Sequence, residues 1–102
     1  MPEKRVPHFD LDAIKLAFST GEGLFTWTAT QDAAALGYGR KEIAAVIGKM
    51  DRVQFYKSMT SNYDTAVWQD VYHAPDGGRT LYVKFTDNGS VTEFTLLSFK
   101  EK

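Results

Sequence analysis

The sequence predicts an α+β fold in which N-terminal helices pack on a C-terminal antiparallel β-sheet. In the first half of the chain, apolar residues recur at helical spacing between polar residues. From Phe55 onward, β-branched and aromatic residues dominate, and two turn signals, Ala74–Gly78 and Asp87–Ser90, divide this half into strand-length segments. Helices and strands in separate blocks are typical of α+β domains.

The first helix is predicted to begin after Asp10, whose carboxylate is a favoured N-cap. Leu11, Ile14 and Phe18 then follow at helical spacing. Gly21 and Gly23 are expected to end this helix, and 24–27 is predicted as a short strand or an extended connector.

Two further helices are predicted before the sheet. The first spans 31–36, with Thr30 or Thr28 as its cap, and is closed by Gly37 and Gly39. The second runs from Lys41 to about Lys49, with Ile43, Val46 and Ile47 on one face. The helical part of the domain is therefore expected at about residues 10–50.

The sheet is expected at about residues 55–101, as an antiparallel meander joined by the two turns. The predicted strands are Tyr56–Thr60, Ala66–His73, Arg79–Thr86 and Val91–Lys100. In the third of them, alternation places Leu81, Val83 and Phe85 on the buried face and Thr80, Tyr82 and Lys84 on the other.

Three polar residues fit the alternation less well. Lys57, Gln69 and Lys100 each share a face with apolar neighbours if alternation is strict. Burying such groups without partners is costly. Either the alternation breaks in these strands or the residues line a partly sheltered cleft, and a lysine stem that packs while its ammonium reaches water remains an alternative for Lys57.

Length and composition limit the possible functions. One domain is expected over residues 1–102, and the absence of cysteine with only two histidines argues against a structural zinc site. No apolar segment is long enough for a membrane span or a signal peptide, so a cytoplasmic protein is expected. The net charge of −1 means that any affinity for nucleic acid must come from a local patch.

Five short blocks, in order, resemble the motility quorum-sensing regulator (MqsR) toxins, which are similar to RelE-type toxins. They are Lys4–His8, Phe55–Thr60, Trp68–Tyr72, Tyr82–Lys84 and Ser98–Lys102. The resemblance spans the chain but is slight at 21–50 and 74–79. The chain departs from that family at His73, where an arginine is usual, and in its overall acidity.

The resemblance implies an mRNA interferase, a metal-independent endoribonuclease without a cofactor that cuts single-stranded messenger RNA at short GC-containing triplets. It also implies a cognate antitoxin whose second portion binds DNA, so that the toxin meets DNA only indirectly. By the same resemblance, Lys57, Gln69, Tyr82 and Lys100 are the catalytic residues. His8, Tyr56 and Met59 are expected to line the site, and Lys84 is a further expected RNA-binding residue.

These residue types suit cleavage by the neighbouring 2′-hydroxyl. Lys57 and Lys100 would stabilise the phosphorane, and clustering would lower the pKa of one lysine enough for proton transfer. Gln69 would orient the phosphate or a base edge, and Tyr82 would deliver or relay a proton.

Several roles have a structural alternative. His8 fits a structural hydrogen bond at the helix start as well as a general base, and Tyr56 and Met59 fit sheet packing as well as base stacking. Trp68 and Tyr72 are predicted to be core residues, and His73, which lies next to a turn, is interpreted as a solvated residue.

Two other function classes stay open on sequence alone. One is a toxin of the same fold that disables a protein target such as gyrase without catalysis, and the other is an interaction domain with no toxin role.

Overall fold

The computed structural model describes residues 3–60, 67–90 and 93–102, without side-chain detail at 88–90. Its elements, in chain order, are β1 (Glu3–Lys4), α1 (Leu11–Ser19), β2 (Leu24–Phe25), α2 (Trp27–Ala35), α3 (Arg40–Gly48), a 3₁₀ turn (Arg52–Gln54), β3 (Phe55–Thr60), β4 (Trp68–Asp76), β5 (Arg79–Ser90) and β6 (Glu93–Glu101). Helices precede the main sheet, which confirms the predicted α+β class.

The six strands form one mixed sheet in the order β1-β3-β4-β5-β6-β2. The pairs β3–β4, β4–β5 and β5–β6 are antiparallel, which confirms the predicted meander. The two-residue strands β1 and β2 extend it at either edge, β1 antiparallel to β3 and β2 parallel to β6. The parallel strand β2 lies in the 24–27 segment, which was expected as a short strand or an extended connector, and its pairing with β6 makes the sheet mixed.

The first and third helices lie within a residue or two of their predicted positions. The Asp10 carboxylate accepts a hydrogen bond from the Asp12 N–H and caps α1 as expected. The second helix was placed too late: Thr26, not Thr28 or Thr30, is its cap, and its hydroxyl accepts from the Ala29 N–H. A threonine at each of positions 26, 28 and 30 offers three similar caps, and the pairing of β2 with β6 selects the first.

The two predicted turns have different outcomes. Gly77 and Gly78 both have positive φ, at 58° and 88°, as the tight turn between β4 and β5 requires. By contrast, Asp87–Ser90 belongs to β5, and Ser90 pairs with Glu93. The second turn was therefore predicted too early, and the predicted strand ends at Ala66 and Val91 lie outside the described residues.

One continuous core joins the three helices to one face of the sheet. The helices contribute chiefly Ile14, Phe18, Ile43 and Ile47, and the sheet contributes Tyr72, Leu81, Val83, Phe85 and Phe99. The predicted buried faces of α1, α3 and β5 are confirmed, as is the burial of Tyr72. Among the described residues, no helix is long and apolar enough to cross a membrane.

Candidate active site on the open face of the sheet

Strand register divides the sheet into a face covered by helices and a face that no described helix covers. Cross-strand partners lie on the same face of a sheet, so the register defines two rows across the uncovered side. One is Lys57–Val71–Lys84–Ser98 and the other is His73–Tyr82–Lys100. These residues, together with Glu3, Tyr56, Met59 and Gln69, form what we call the open face.

Two irregularities in register turn the lysines toward this face. Phe55 pairs with Tyr72 and Lys57 with Val71, so Tyr56 is an extra residue and the alternation changes phase at that point. Phe55 consequently packs on the core while Lys57 lies on the open face. The expectation that Lys57 shares a face with Phe55 was wrong for this reason.

A second irregularity of this kind lies in β6. Lys84 pairs with Ser98 and Phe85 pairs with Leu96, which leaves Leu97 as the extra residue. Leu96 is therefore buried in the core while Ser98 and Lys100 lie on the open face. Strict alternation would have placed Lys100 with Leu96, and that expectation was also wrong.

Three aromatic rings form a ledge across the open face. Tyr56 stacks on His73 with ring centroids 4.3 Å apart, and His73 lies 6.1 Å from Tyr82. A lysine lies over each end: the Lys57 ammonium is 5.4 Å from the Tyr56 ring centre, and that of Lys100 is 5.5 Å from the Tyr82 ring centre. We call Tyr56, His73 and Tyr82 the ring ledge.

Lys84 lies between the other two lysines of the open face. Its β4 neighbour in the row is Val71, which has no exposed surface although it lies on the side away from the helices. Since Val71 is flanked by Lys57 and Lys84, the aliphatic stems of the lysines account for its burial. Lys84 is itself half-buried, and the Lys57 and Lys84 backbones are about 10 Å apart across two strand spacings.

The electrostatics of the open face follow from this crowding. Burial lowers the pKa of Lys84, and the charges of Lys100 and Lys57 lower it further. Burial raises the pKa of the Tyr82 phenol, against an opposing effect from Lys57, so that Tyr82 keeps its proton at neutral pH. The lysine with the weakened proton affinity is thus Lys84, one that the sequence had suggested for RNA binding.

One carboxylate contacts a lysine of the open face. A Glu3 carboxylate oxygen lies 3.2 Å from the Lys57 ammonium, and both side chains are partly exposed. β1 makes this possible because Glu3 pairs with Met59, two residues along β3 from Lys57. Sequence reasoning missed Glu3, which forms part of a two-residue strand too short to predict.

Met59 and Gln69 lie opposite each other at the β1 side of the open face. They form a cross-strand pair and both are partly exposed, so Gln69 is on the same side of the sheet as Lys57. The structure thus brings the four predicted catalytic residues, together with Tyr56, Met59 and Lys84, onto one face. Their catalytic and binding roles stay predictions.

His8 is the predicted site residue that the structure places elsewhere. Its ring stacks on Trp68 at 5.4 Å, and its Nδ1 lies 2.9 Å from the Lys4 ammonium. Trp68 pairs with Thr60, and Lys4 pairs with Ser58. Thr60 and Ser58 are both buried on the helix-covered side. The His8 ring therefore lies across the sheet from the open face, at its edge.

A buried carboxylate anchors this N-terminal segment. Asp70 has no exposed surface, and it accepts hydrogen bonds from the backbone N–H groups of His8 and Phe9 and, at 2.6 Å, from the Ser58 hydroxyl. Because Asp70 lies between Gln69 and Val71 on β4, these bonds hold β3, β4 and the segment before α1 together directly behind the candidate site.

His73 is the residue that sequence reasoning misjudged most. It was interpreted as solvated because it lies near a turn, but β4 continues to Asp76 and keeps His73 inside the sheet. There it is half-buried between the two tyrosines. The signal available in the sequence was the aromatic run on neighbouring strands, which a correct register would have aligned.

In residues 3–60, 67–90 and 93–102, no group of three histidine, aspartate or glutamate side chains is placed to hold a metal ion. The expectation that the site works without a metal or another cofactor stays a prediction.

Comparison with known proteins agrees with the resemblance seen in the motifs. The sequence profile of the family described as "Motility quorum-sensing regulator, toxin of MqsA" matches residues 6–101. The chain is 35% identical over 100 residues to the mRNA interferase toxin MqsR of Escherichia coli (strain K12). That alignment covers 98% of this chain and 99% of the relative.

Proposed function

Because the chain belongs to the motility quorum-sensing regulator family of toxins, we propose that it is an mRNA interferase whose endoribonuclease site is the open face. The observation that carries the placement of the site is the convergence of Lys57, Lys84 and Lys100 around the Tyr82 phenol. Such a set supplies positive charge and a transferable proton without a metal.

The proposed reaction is attack of a 2′-hydroxyl on the adjacent phosphate. Lys57 and Lys100, on either side of the ring ledge, stabilise the negative charge that develops on the phosphorane oxygens. Lys84 adds a third positive charge on the same face of the sheet, and Gln69 orients the phosphate or a base edge. Tyr82 donates a proton to the departing 5′-oxygen, since its raised pKa keeps the phenol protonated.

The ring ledge gives the RNA a surface on which to stack. Unpaired bases stack on aromatic side chains at about 1–3 kcal/mol each, whereas bases inside a duplex are not available. Tyr56 is 42% exposed, so its ring remains accessible beside the stacked His73. We therefore expect a single-stranded messenger RNA as the substrate, with Met59 contacting it at the β1 side.

The family description also supports a protein partner. It names its members as toxins of MqsA, and we propose a cognate antitoxin of that kind for this chain. Any DNA contact would then be indirect, through the antitoxin, and the protein would act in the cytoplasm, where messenger RNA is translated.

The test is digestion of a defined RNA by purified protein in EDTA, followed by mapping of the ends. We expect specific cuts that leave a 2′,3′-cyclic phosphate and a 5′-hydroxyl. Lys57→Ala and Tyr82→Phe should each reduce the rate by about 10²-fold or more. Lys41→Ala is the matched control, because it removes one positive charge from α3 on the helix-covered side.

Low ionic strength is needed, since binding that depends on a few cations weakens steeply as salt rises. Intact RNA over a range of salt and pH, with undiminished toxicity of Lys57→Ala in cells, would refute the proposal and favour a protein target. A loss of activity in Lys41→Ala as large as that in Lys57→Ala would refute the placement of the site.

A further inference from the structure

The ring ledge contains an imidazole in the position that a general base requires. His73 pairs with Tyr82 across β4 and β5, and Tyr82 pairs in turn with Lys100 on β6. The imidazole and the Lys100 ammonium therefore flank the proposed proton donor on either side. A phosphate held above Tyr82 has a nitrogen base on one side of it and a cation on the other.

His73 is held in place by rings and not by hydrogen bonds. Its imidazole stacks on Tyr56 at 4.3 Å with an angle of 22° between the ring planes. Within the described part of the chain, neither ring nitrogen has a hydrogen-bond partner. Stacking fixes the ring plane but leaves the nitrogen lone pair free for a proton.

The surroundings of His73 keep it neutral. Around it lie Tyr56 and Lys57 from β3, Tyr82 and Lys84 from β5, Lys100 from β6, and Lys102, which follows β6. None of these residues is an aspartate or a glutamate, and the carboxylate that contacts the open face, that of Glu3, lies 3.2 Å from the Lys57 ammonium. Burial and the Lys102 charge lower the pKa of His73 from its ordinary value of 6.5.

We propose that His73 is the general base of the reaction and accepts the proton of the attacking 2′-hydroxyl. This inference rests on the proposed endoribonuclease function and assigns to that site a residue other than the four expected catalytic ones. An imidazole that is unprotonated at pH 7 fits this step better than a lysine, whose ordinary pKa is 10.5.

Protons and electron pairs balance in the resulting step. A His73 ring nitrogen takes the 2′-hydroxyl proton as that oxygen bonds to phosphorus. The bond from phosphorus to the 5′-oxygen breaks, its electron pair stays on that oxygen, and the Tyr82 phenol protonates it. The products are a 2′,3′-cyclic phosphate and a 5′-hydroxyl, after which imidazolium and phenolate exchange one proton through water.

The decisive measurement is the pH dependence of kcat/KM on a short RNA between pH 4.5 and 8.5. With His73 as the base, kcat/KM should rise tenfold per pH unit below the pKa of His73 and level off above it. The midpoint should lie below 6.5 and match the pKa of the His73 ring measured by NMR titration of the free protein.

Two variants separate catalysis from packing. His73→Phe keeps an aromatic ring in the ledge, so we expect an uncleavable 2′-deoxy oligonucleotide to bind within about threefold of wild type. Its kcat/KM should nevertheless fall by about 10²–10⁴-fold and lose its acid limb. His73→Ala should regain activity when free imidazole is added, which would not happen if His73 had only a structural role.

The second histidine provides the control. His8→Phe changes the only other imidazole of the chain and should leave the midpoint of the acid limb where it is. An acid limb that persists in His73→Phe and disappears in His8→Phe would overturn the proposal, as would wild-type rates in His73→Phe. Wild-type protein that cuts no RNA would overturn the proposed function itself, whereas cleavage with an unchanged pH profile in His73→Phe overturns this inference alone.

Discussion

The ion pair between Glu3 and Lys57 predicts that the free protein partly blocks its own site. A phosphate that binds Lys57 must compete with a carboxylate oxygen 3.2 Å from the ammonium. Glu3→Gln removes that competing charge and leaves the size of the side chain almost unchanged. The variant should therefore bind RNA more tightly than wild type.

The size of the effect follows from the exposure of the pair. The Lys57 and Glu3 side chains are 22% and 43% exposed, and ion pairs in such surroundings contribute about 0.2–1 kcal/mol. Removing the competition should thus lower Kd by about 1.4–5-fold. The gain should shrink as salt rises, because screening weakens the ion pair as well as RNA binding.

Fluorescence anisotropy with a labelled 2′-deoxy oligonucleotide would measure this change without cleavage. Asp32→Asn is the matched control, since it makes the same charge change on α2, away from the open face. In a Lys57→Met background, Glu3→Gln should have no effect beyond that control. Equal Kd values for Glu3→Gln and Asp32→Asn, or an undiminished effect of Glu3→Gln without Lys57, would refute the reasoning.

Three further predictions concern stability, each measured by urea unfolding. Asp70→Asn should lower the free energy of unfolding by about 2–4 kcal/mol, because the new NH₂ group would face N–H and O–H groups that now donate to a carboxylate oxygen. A loss below 1 kcal/mol would contradict this. Tyr72→Phe removes a buried hydroxyl that has no hydrogen-bond partner among the described residues, so the free energy of unfolding should stay equal or rise by about 1 kcal/mol. A clear decrease in the free energy of unfolding would contradict this. Gly23→Ala should lower the free energy of unfolding by about 1–3 kcal/mol, because its Cβ would lie 2.3 Å from the Phe18 ring. Gly48→Ala, whose Cβ meets no atom within 4 Å, should raise the free energy of unfolding by about 0.5–1 kcal/mol, and similar values for the two variants would contradict the packing argument.

The sequence predicted the parts of the fold that depend on local signals. The Asp10 cap, the buried stripe of α3 and the alternation of Leu81, Val83 and Phe85 each involve neighbouring residues, and all three are confirmed. The sequence missed elements that exist only through pairing. β1 and β2 have two residues each and are strands because β3 and β6 lie beside them.

The candidate site illustrates the same limit more sharply. The residues of the open face were found through motifs, but their common face depends on two extra residues, Tyr56 and Leu97, that strict alternation does not reveal. The position of His73 in the ledge depends on register across three strands. The motif at Lys4–His8 gave no indication that His8 lies across the sheet from Lys57.

The most direct test of the account is an NMR titration with an uncleavable 2′-deoxy oligonucleotide at low salt. The largest amide shift changes should fall on the open-face segments of β3, β4, β5 and β6, around Lys57, His73, Tyr82 and Lys100. Changes confined to α1, α2 and α3, with the open face unaffected, would contradict it.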